Sequence, residues 1–492
     1  MAPSSADIAT MAAWDAVETC DRIRKKDVSI HEVLEAAIAR AEEAQHLGAV
    51  FEPAYARART SVETRDSEAP LAGVPTFVKD LARIRGVPTT WGSRAAGRYV
   101  PRSSDPIVKY LEETGVVILG KSACSELGLC ITTEPLGRPP CRNPWDPSRS
   151  SGGSSGGAAC LVAAGVVPIA HGSDGGGSIR LPAAWCGLVG MKPSRFRLDS
   201  KGSNLLAVNV VCDGVLTRTV RDTVAFYAAL ELRRAPKKVV PIGQVAERPA
   251  RPLRIGVFVD APTGTPVSPE VREAVLAAAR LCGTLGHAVE EIACPFEGAL
   301  IDDFFRYFGV LAWLQVRTAR LTIHWGFDRS KIEPWTAGFM EFFSREKLAA
   351  LAAIRRLRRF SSTFAEVMKR HDVLISPTLP EPAPPLGHLA TDLPFDIEFA
   401  RFRSSVPFTP IHNAAGAPAI SLPLGRSVAG LPIGVQFAAA HGHDRMLLEL
   451  ALSIEAARPW DAMAPRQTWL PPQPSLPSSS KISAGQLDGE VR

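Results

Sequence analysis

The stretch Ser150-Ser151-Gly152-Gly153-Ser154-Ser155-Gly156-Gly157, followed by an apolar run to Ile169 and then Gly172-Ser173-Asp174-Gly175-Gly176-Gly177-Ser178-Ile179-Arg180, decides the reading of this chain. Two Gly/Ser clusters flank a helix expected over residues 158–164 and a strand expected over 166–170. Glycine permits positive φ and close approach of other groups. Serine at the same places puts hydroxyls on tightly turned main chain. A linker needs no such arrangement, whereas a site where backbone N–H groups and hydroxyls converge on a reacting carbonyl does.

Outward from this stretch, short apolar runs alternate with helical patterns. Upstream, residues 71–80 read as a turn and a buried strand ending at Lys79. Residues 104–114 are helical, and 116–120 are a short apolar strand. Downstream, strands are expected over 186–191, 254–260, 372–376, 419–424 and 434–440, with helices over 218–232, 269–285 and 446–457. The alternation predicts an α/β fold, a single large domain whose mixed central β-sheet is covered by α-helices. Residues 7–45 and 53–65 are helical, with Ser29 and Glu32 as a capping box and Ser268 capping the helix over 269–285. The Pro-, Arg- and Ser-rich residues 135–149 read as loop. The divisions are a helical region over 1–70, a catalytic core over 71–232 and a linker over 233–253. Residues 254–465 are the second half of the same domain, with pocket helices, and 466–492 are a disordered tail.

With 492 residues, 46% of them hydrophobic, the chain can bury a large core. Its net charge of +6 is dispersed, and the densest basic cluster, Arg355-Arg356-Leu357-Arg358-Arg359, lies on a helical pattern as a solvated face, so no nucleic-acid partner is expected. Nine cysteines at irregular spacings, none in CxxC, exclude zinc and dithiol motifs and fit free buried thiols in the cytoplasm. The N-terminus lacks the charged start and apolar core of a signal peptide. No apolar run reaches the length of about 18 residues that a membrane span requires. A homodimer is compatible with the sequence. Residues 301–345 carry Phe304, Phe305, Phe308, Trp313, Trp325, Trp335, Phe339, Phe342 and Phe343. They form a helical core layer, or some of them wall an apolar substrate pocket.

Several chemistries compete for the serines. Gly152-Gly153-Ser154-Ser155-Gly156 fits the G-x-S-x-G nucleophile elbow, which expects a strand before the serine and a later acid and histidine. The preceding residues 143–150 contain two prolines and no β-branched run, which argues against that strand. His412 and His441 are available as bases but have no distinguishing context. A phosphate loop is a weaker reading still, because the Gly-rich stretch lacks the Gly-Lys-Ser/Thr ending. His441-Gly442-His443-Asp444 reads as a loop between strand and helix, with no metal expected.

These residues closely resemble the amidase signature family. The resemblance rests on Gly152-Gly153-Ser154-Ser155-Gly156-Gly157, on Ser173-Asp174 with Gly176-Gly177-Ser178-Ile179-Arg180, on Pro182-Ala183, and on Gly187, Gly190 and Lys192-Pro193. Further landmarks are Gly73-Val74-Pro75 ahead of Lys79, Gly120-Lys121 ahead of Glu126, Gly416 with Pro418-Ala419, and Leu431-Pro432-Ile433-Gly434-Val435-Gln436. It spans roughly residues 10–460. The resemblance implies a Ser-Ser-Lys triad of Ser178, Ser154 and Lys79, with Ser178 as nucleophile. Ser154 would bridge it to Lys79 on a cis peptide following Gly153. No metal, nucleotide or flavin is implied.

The physical logic agrees. A serine hydroxyl needs a base, and lysine is a base only when burial makes it neutral. Thr76-Phe77-Val78 provide an apolar approach to Lys79, although the neighbouring Asp80 would favour the charged form if its carboxylate came close. Gly175, Gly176 and Gly177 lead into Ser178, and their N–H groups are the expected oxyanion hole, each donor worth about 3 kcal/mol of barrier. Ser155, Asp174 and Arg180 are expected to support the loops. The family more often has Thr-Asp and a larger residue where this chain has Ser173-Asp174-Gly175, a difference that bears on the substrate. Thr132-Thr133-Glu134-Pro135, Arg142-Asn143-Pro144-Trp145 and His171-Gly172 look most like the branch containing 6-aminohexanoate cyclic-dimer hydrolase. The implied substrate is a small-molecule hydrophobic, aryl or oligomeric amide, or a carbamate. The family also contains the glutaminase subunit of a tRNA-dependent amidotransferase.

Overall fold

The computed structural model describes residues 4–63, 68–198, 206–461 and 463–470. The chain opens with helices α1 (Ser5–Ala13), α2 (Ala16–Arg24) and α3 (Ile30–Glu43). The capping box forms as expected, with Glu32 N–H donating to Ser29 Oγ at 3.2 Å and Ser29 N–H to Glu32 Oε2 at 2.8 Å. Then come β1 (Val50–Pro53), α4 (Tyr55–Glu63), β2 (Pro75–Lys79), α5 (Pro106–Thr114) and β3 (Val117–Ser122). β3 pairs antiparallel with β1 and parallel with β2. Every residue of β2 and β3 is buried, the lysines Lys79 and Lys121 at their ends included.

The first half continues with β4 (Arg142–Asn143), β5 (Asp146–Ser150), α6 (Gly156–Ala163), β6 (Ile169–Asp174), α7 (Arg180–Cys186), β7 (Val189–Lys192), β8 (Cys212–Thr217) and α8 (Val220–Arg233). The second half holds β9 (Arg254–Val257), α9 (Pro269–Thr284), β10 (Ala288–Glu291), α10 (Ala299–Thr322), α11 (Pro334–Arg345), α12 (Lys347–Val367) and β11 (Val373–Pro377). It ends with α13 (Phe395–Ser405), α14 (Thr409–Ala415), β12 (Ala419–Arg426), β13 (Pro432–Ala439), α15 (Asp444–Ala457) and α16 (Arg466–Trp469).

Eight strands form one mixed sheet in the order β10-β9-β11-β13-β12-β7-β8-β6, in which β9 runs parallel to β10 and β11 and the other pairs are antiparallel. The expected single α/β domain is therefore the fold. Strands from both sides of residues 234–253, which carry no helix or strand, enter this sheet. Phe226 and Tyr227 of α8, Val275 of α9 and Leu447 of α15 pack on Val215, Ile420 and Val435 of the sheet. A second core is aromatic. Trp335 and Phe339 stand edge to face at 4.6 Å, and Phe305 meets Phe402 at 5.3 Å. Trp325 has no place in it and is 86% exposed.

Several expectations change. The region over 1–70 is not purely helical, because β1 is a four-residue strand, too short to show a pattern, held by its pairing with β3. Residues 135–149 are not all loop. β4 and β5 form a two-stranded ribbon, where Pro147 is tolerated because one edge of β5 needs no ladder donor. The strand ahead of Ser154 thus exists. The strand expected over 166–170 lies at Ile169–Asp174, and Cys186 ends a helix instead of starting a strand. β8 and β10 went unread, β10 because its Ala288–Glu291 segment is mostly exposed. The expected tail begins with α16, whose Trp469 is buried. Residues 471–492 lie outside the described residues.

Candidate active site

Two strands bring the base to the serines. Thr76 Oγ1 donates to the Ile169 carbonyl at 2.9 Å and Lys79 N–H donates to His171 Nδ1 at 3.3 Å, so β2 and β6 advance together toward the site. At the end of β2 the Lys79 side chain is fully buried. Its Nζ donates to Ser154 Oγ at 2.7 Å, to Ser173 Oγ at 3.0 Å and to the Ser173 carbonyl at 3.2 Å. Burial pushes the Lys79 ammonium from 10.5 down to about 8, against opposing pulls from Cys124, Asp174 and Asp213. Asp80 does not reverse this, because its carboxylate is held by Lys121 Nζ at 2.8 Å and by Thr90 N–H at 3.0 Å.

Ser154 follows a cis peptide after Gly153, as the resemblance implied. The turn requires glycine before it. Gly152 has φ +82°, and a Cβ there would lie 2.7 Å from Pro182 Cα; a Cβ on Gly153 would lie 2.7 Å from the Thr132 carbonyl oxygen. Ser155 ties the two clusters together, its Oγ donating to the Ser173 carbonyl at 3.3 Å and accepting from Ser173 N–H at 3.4 Å. Ser178 sits at the entry to α7, 9% exposed, facing a cleft. No hydrogen bond joins Ser154 Oγ to Ser178 Oγ among the described residues, so the expected bridge is made on the lysine side only. Such links tighten when substrate binds.

The second cluster differs from expectation at one donor. Gly177 N–H donates to Asp174 Oδ1 at 2.7 Å and is committed to the loop, not to an oxyanion. Thr409 Oγ1 donates to the Gly176 carbonyl at 2.7 Å, fixing the other end of that peptide. Among the described residues the N–H groups of Gly175, Gly176 and Ser178 make no hydrogen bond.

Asp174 and Arg180, both buried, are joined as an ion pair. Arg180 is fully buried and grips Asp174 through Nε and Nη2, both at 3.0 Å. It also donates to Gln436 Oε1 at 2.7 Å, Asn413 Oδ1 at 2.5 Å and the Thr409 carbonyl at 3.1 Å. Burial alone would raise the Asp174 carboxyl, but Arg180 and Asn413 overcome it and hold the group well below its ordinary range. The histidine alternatives fall away. His412 is buried beside the Arg180 guanidinium, and burial with that charge keeps it neutral. His441 is spent on the Arg195 carbonyl at 3.1 Å. Neither lines the cleft.

That cleft is lined by Gly128, Leu129, Cys130, Ile131, Gly175, Gly176, Ser178, Phe304, Phe305, Phe308, Phe402, Val406 and Pro410, and its cavity volume is about 30 Å³. Phe304, Phe305 and Phe308 line the cleft, while Trp335 and Phe339 fill the core. A wider surface cleft of about 360 Å³ beside Trp145, Arg426 and Trp460 contains none of these residues.

The family model described as Amidase matches residues 32–448. The chain belongs to the amidase signature family. It is 43% identical to AmiC of Mycobacterium leprae (strain TN), named as an amidase by inference, over 91% of this chain and 95% of that one. It is 32% identical to 6-aminohexanoate-cyclic-dimer hydrolase of Paenarthrobacter ureafaciens over 92% and 96%. A solved structure of 6-aminohexanoate cyclic dimer hydrolase with substrate superposes with a TM-score of 0.82 at 30% identity, covering 93% of this chain and 99% of that one. A bacterial aryl acylamidase of the family gives 0.80 at 28%, over 93% and 97%. No described helix of this amidase is long and apolar enough to cross a membrane.

The sequence reading assigned no role to three groups of the amidase that the structure places in contact with the site. Ser173 accepts from Lys79 twice. Asn413 Nδ2 donates to Asp174 Oδ1 at 2.8 Å and to its carbonyl at 3.2 Å. Thr409 anchors the glycine loop. For Thr409 and Asn413 the only available cue was their position in Thr409-Pro410-Ile411-His412-Asn413, just ahead of the landmark Gly416, whereas Ser173 lies within the second Gly/Ser cluster itself.

Proposed function

We propose that this protein is a serine-dependent amidase that cleaves the carbon–nitrogen bond of small hydrophobic, aryl or oligomeric amides through an acyl-enzyme. The observation that carries the reading is a fully buried lysine, lowered to about 8, hydrogen-bonded at 2.7 Å to a serine of one Gly/Ser cluster while the second cluster sets Ser178 on the cleft. Neutral Lys79 takes the Ser154 proton as Ser154 takes that of Ser178. The Ser178 oxygen bonds to the amide carbon, and the N–H groups of Gly175, Gly176 and Ser178 receive the negative charge. Return of the proton through Ser154 to the leaving nitrogen breaks the C–N bond, and water then enters by the same route to free the acid. Gly177 belongs to the loop's support, with Ser155, Asp174 and Arg180.

The cleft supports the substrate class: four phenylalanines and no charged side chain line it. Glutamine, which carries a carboxylate, finds no cation there, so the glutaminase reading has no support in this wall. Carbamates present the same carbonyl and the same triad acts on them. A panel of aryl anilides, oligoamides, carbamates and glutamine, read by mass spectrometry, tests the assignment. Anilide or oligoamide cleavage that Ser178→Ala abolishes is expected. Turnover of glutamine alone, or activity surviving in Ser178→Ala, would overturn it.

A further inference from the structure

Behind the Cys130 wall of the cleft lies a carboxyl that the mechanism does not use. Glu398 is on α13, one turn before Phe402, which lines the cleft. It is 0% exposed. Its Oε1 accepts from the thiol of Cys130, another lining residue, at 3.8 Å, and its Oε2 has no hydrogen-bond partner. Two further buried carboxyls act on it, Glu333, which draws on the Thr391 hydroxyl, and Glu134, which draws on Ser150. Buried polar groups are ordinarily paired, and each exception calls for an explanation. The charged groups acting most strongly on Glu398 are Glu333, Asp392 and Glu134, all acidic. Burial first, and these neighbours with it, push the Glu398 carboxyl up to about 9, although the Cys130 contact pulls the other way.

A buried carboxyl with an unpartnered oxygen, acidic groups around it and aromatic rings lining the adjoining cleft is suited to one kind of ligand. An ammonium group is attracted to ring faces on its way in and supplies the donors and the positive charge that the carboxyls lack. A carboxylate would be repelled there, and an alkyl group would leave the acceptors unpaired.

We propose that Glu398, with Glu333 close by, forms a recognition subsite for an amine carried at the end of the substrate remote from the scissile amide, so that aminoalkyl amides are the preferred class. This rests on the amidase reading of Ser178 and extends it. Occupation requires the Cys130 thiol to turn away from Glu398 Oε1 and the amine to take its place.

Two isosteric pairs test the subsite: 6-aminohexanoyl against heptanoyl p-nitroanilide, and N-(6-aminohexyl)acetamide against N-heptylacetamide. Charged hydrogen bonds of this kind correspond to roughly tenfold to a hundredfold in kcat/KM. The amino member of at least one pair is expected to be favoured by that factor, through KM. Glu398→Gln should reduce the preference and Glu398→Leu should abolish it, while turnover of the neutral members persists. Equal rates within both pairs in the wild type, or equal losses on amino and neutral members in Glu398→Gln, would overturn the proposal. Binding is read separately, by the thermal shift with n-hexylamine against n-hexanol, in wild type and Glu398→Gln. A shift with hexylamine that Glu398→Gln removes, alongside no cleavage of any amide and no labelling of Ser178 by an alkyl fluorophosphonate, would sustain the subsite and sink the amidase reading. No hexylamine shift in a protein that does cleave amides would do the reverse.

Discussion

Titration of Lys79 is where the proposed mechanism yields a number. Burial lowers this ammonium from 10.5 to about 8, which corresponds to about 3 kcal/mol. At pH 7 about one molecule in ten then carries the neutral base, against about one in three thousand for an ordinary lysine, so burial enriches the active form roughly 300-fold. The expected profile of kcat/KM on a p-nitroanilide rises tenfold per unit below about pH 8 and levels above it. The same shift fixes the sign of a stability effect. The folded pKa lies below the unfolded one, so between about pH 8 and pH 10.5 the unfolded chain binds the extra proton. The cost of burying Lys79 is complete below pH 8 and fades as pH rises to 10.5. In Lys79→Met that cost is gone at every pH. Wild type should therefore gain about 3 kcal/mol on the variant between pH 8 and 10.5, measured by urea melts at each pH. A flat rate profile between pH 6 and 9, a limb near pH 10, or substantial turnover by Lys79→Met would refute the assignment of the base.

Other substitutions probe the glycine loop and its support. Gly175→Ala should fold normally and retain activity, because its Cβ would meet only Val211 Cγ2 at 3.5 Å, whereas Gly177→Ala should lose activity and stability, since φ is +130° and its Cβ would fall 2.4 Å from Thr409 Oγ1; a pair of equal activity on the anilide would argue against the loop's geometry. Arg180→Met leaves Asp174 buried without its guanidinium and should cost about 3–5 kcal/mol in a urea melt; a loss under 1 kcal/mol would contradict the support role. Thr409→Val releases the Gly176 carbonyl and should lower kcat on the anilide roughly tenfold with little change in KM, Thr409→Ser restoring it; a change in KM alone would place Thr409 in the pocket instead.

How much was legible depended on how locally each feature is specified. Buried strands such as β3 and β11 announce themselves by short, mostly apolar stretches, and the capping box by Ser29 and Glu32 three positions apart. β1, β5 and β8 did not, because their stability comes from partners distant in the chain: β1 from β3, β5 from β4, and β8 from β6 and β7. The fate of Gly177 N–H was equally hidden. Whether a glycine amide faces an oxyanion or a carboxylate depends on the peptide's rotation, which Asp174 and Thr409 fix from two sides.

The sequence by itself determined the α/β class, the family and the identity of Lys79, Ser154 and Ser178 as candidates, since residue type and spacing suffice where glycines and serines cluster so densely. The tertiary structure alone decided that Asp80 turns to Lys121 and leaves Lys79 free to lose its proton, that Ser173, Thr409 and Asn413 hold the site, and which phenylalanines face the cleft. Those outcomes are set by direction and burial in three dimensions, and a charge is tuned by what surrounds it in space, not by its neighbour in the chain.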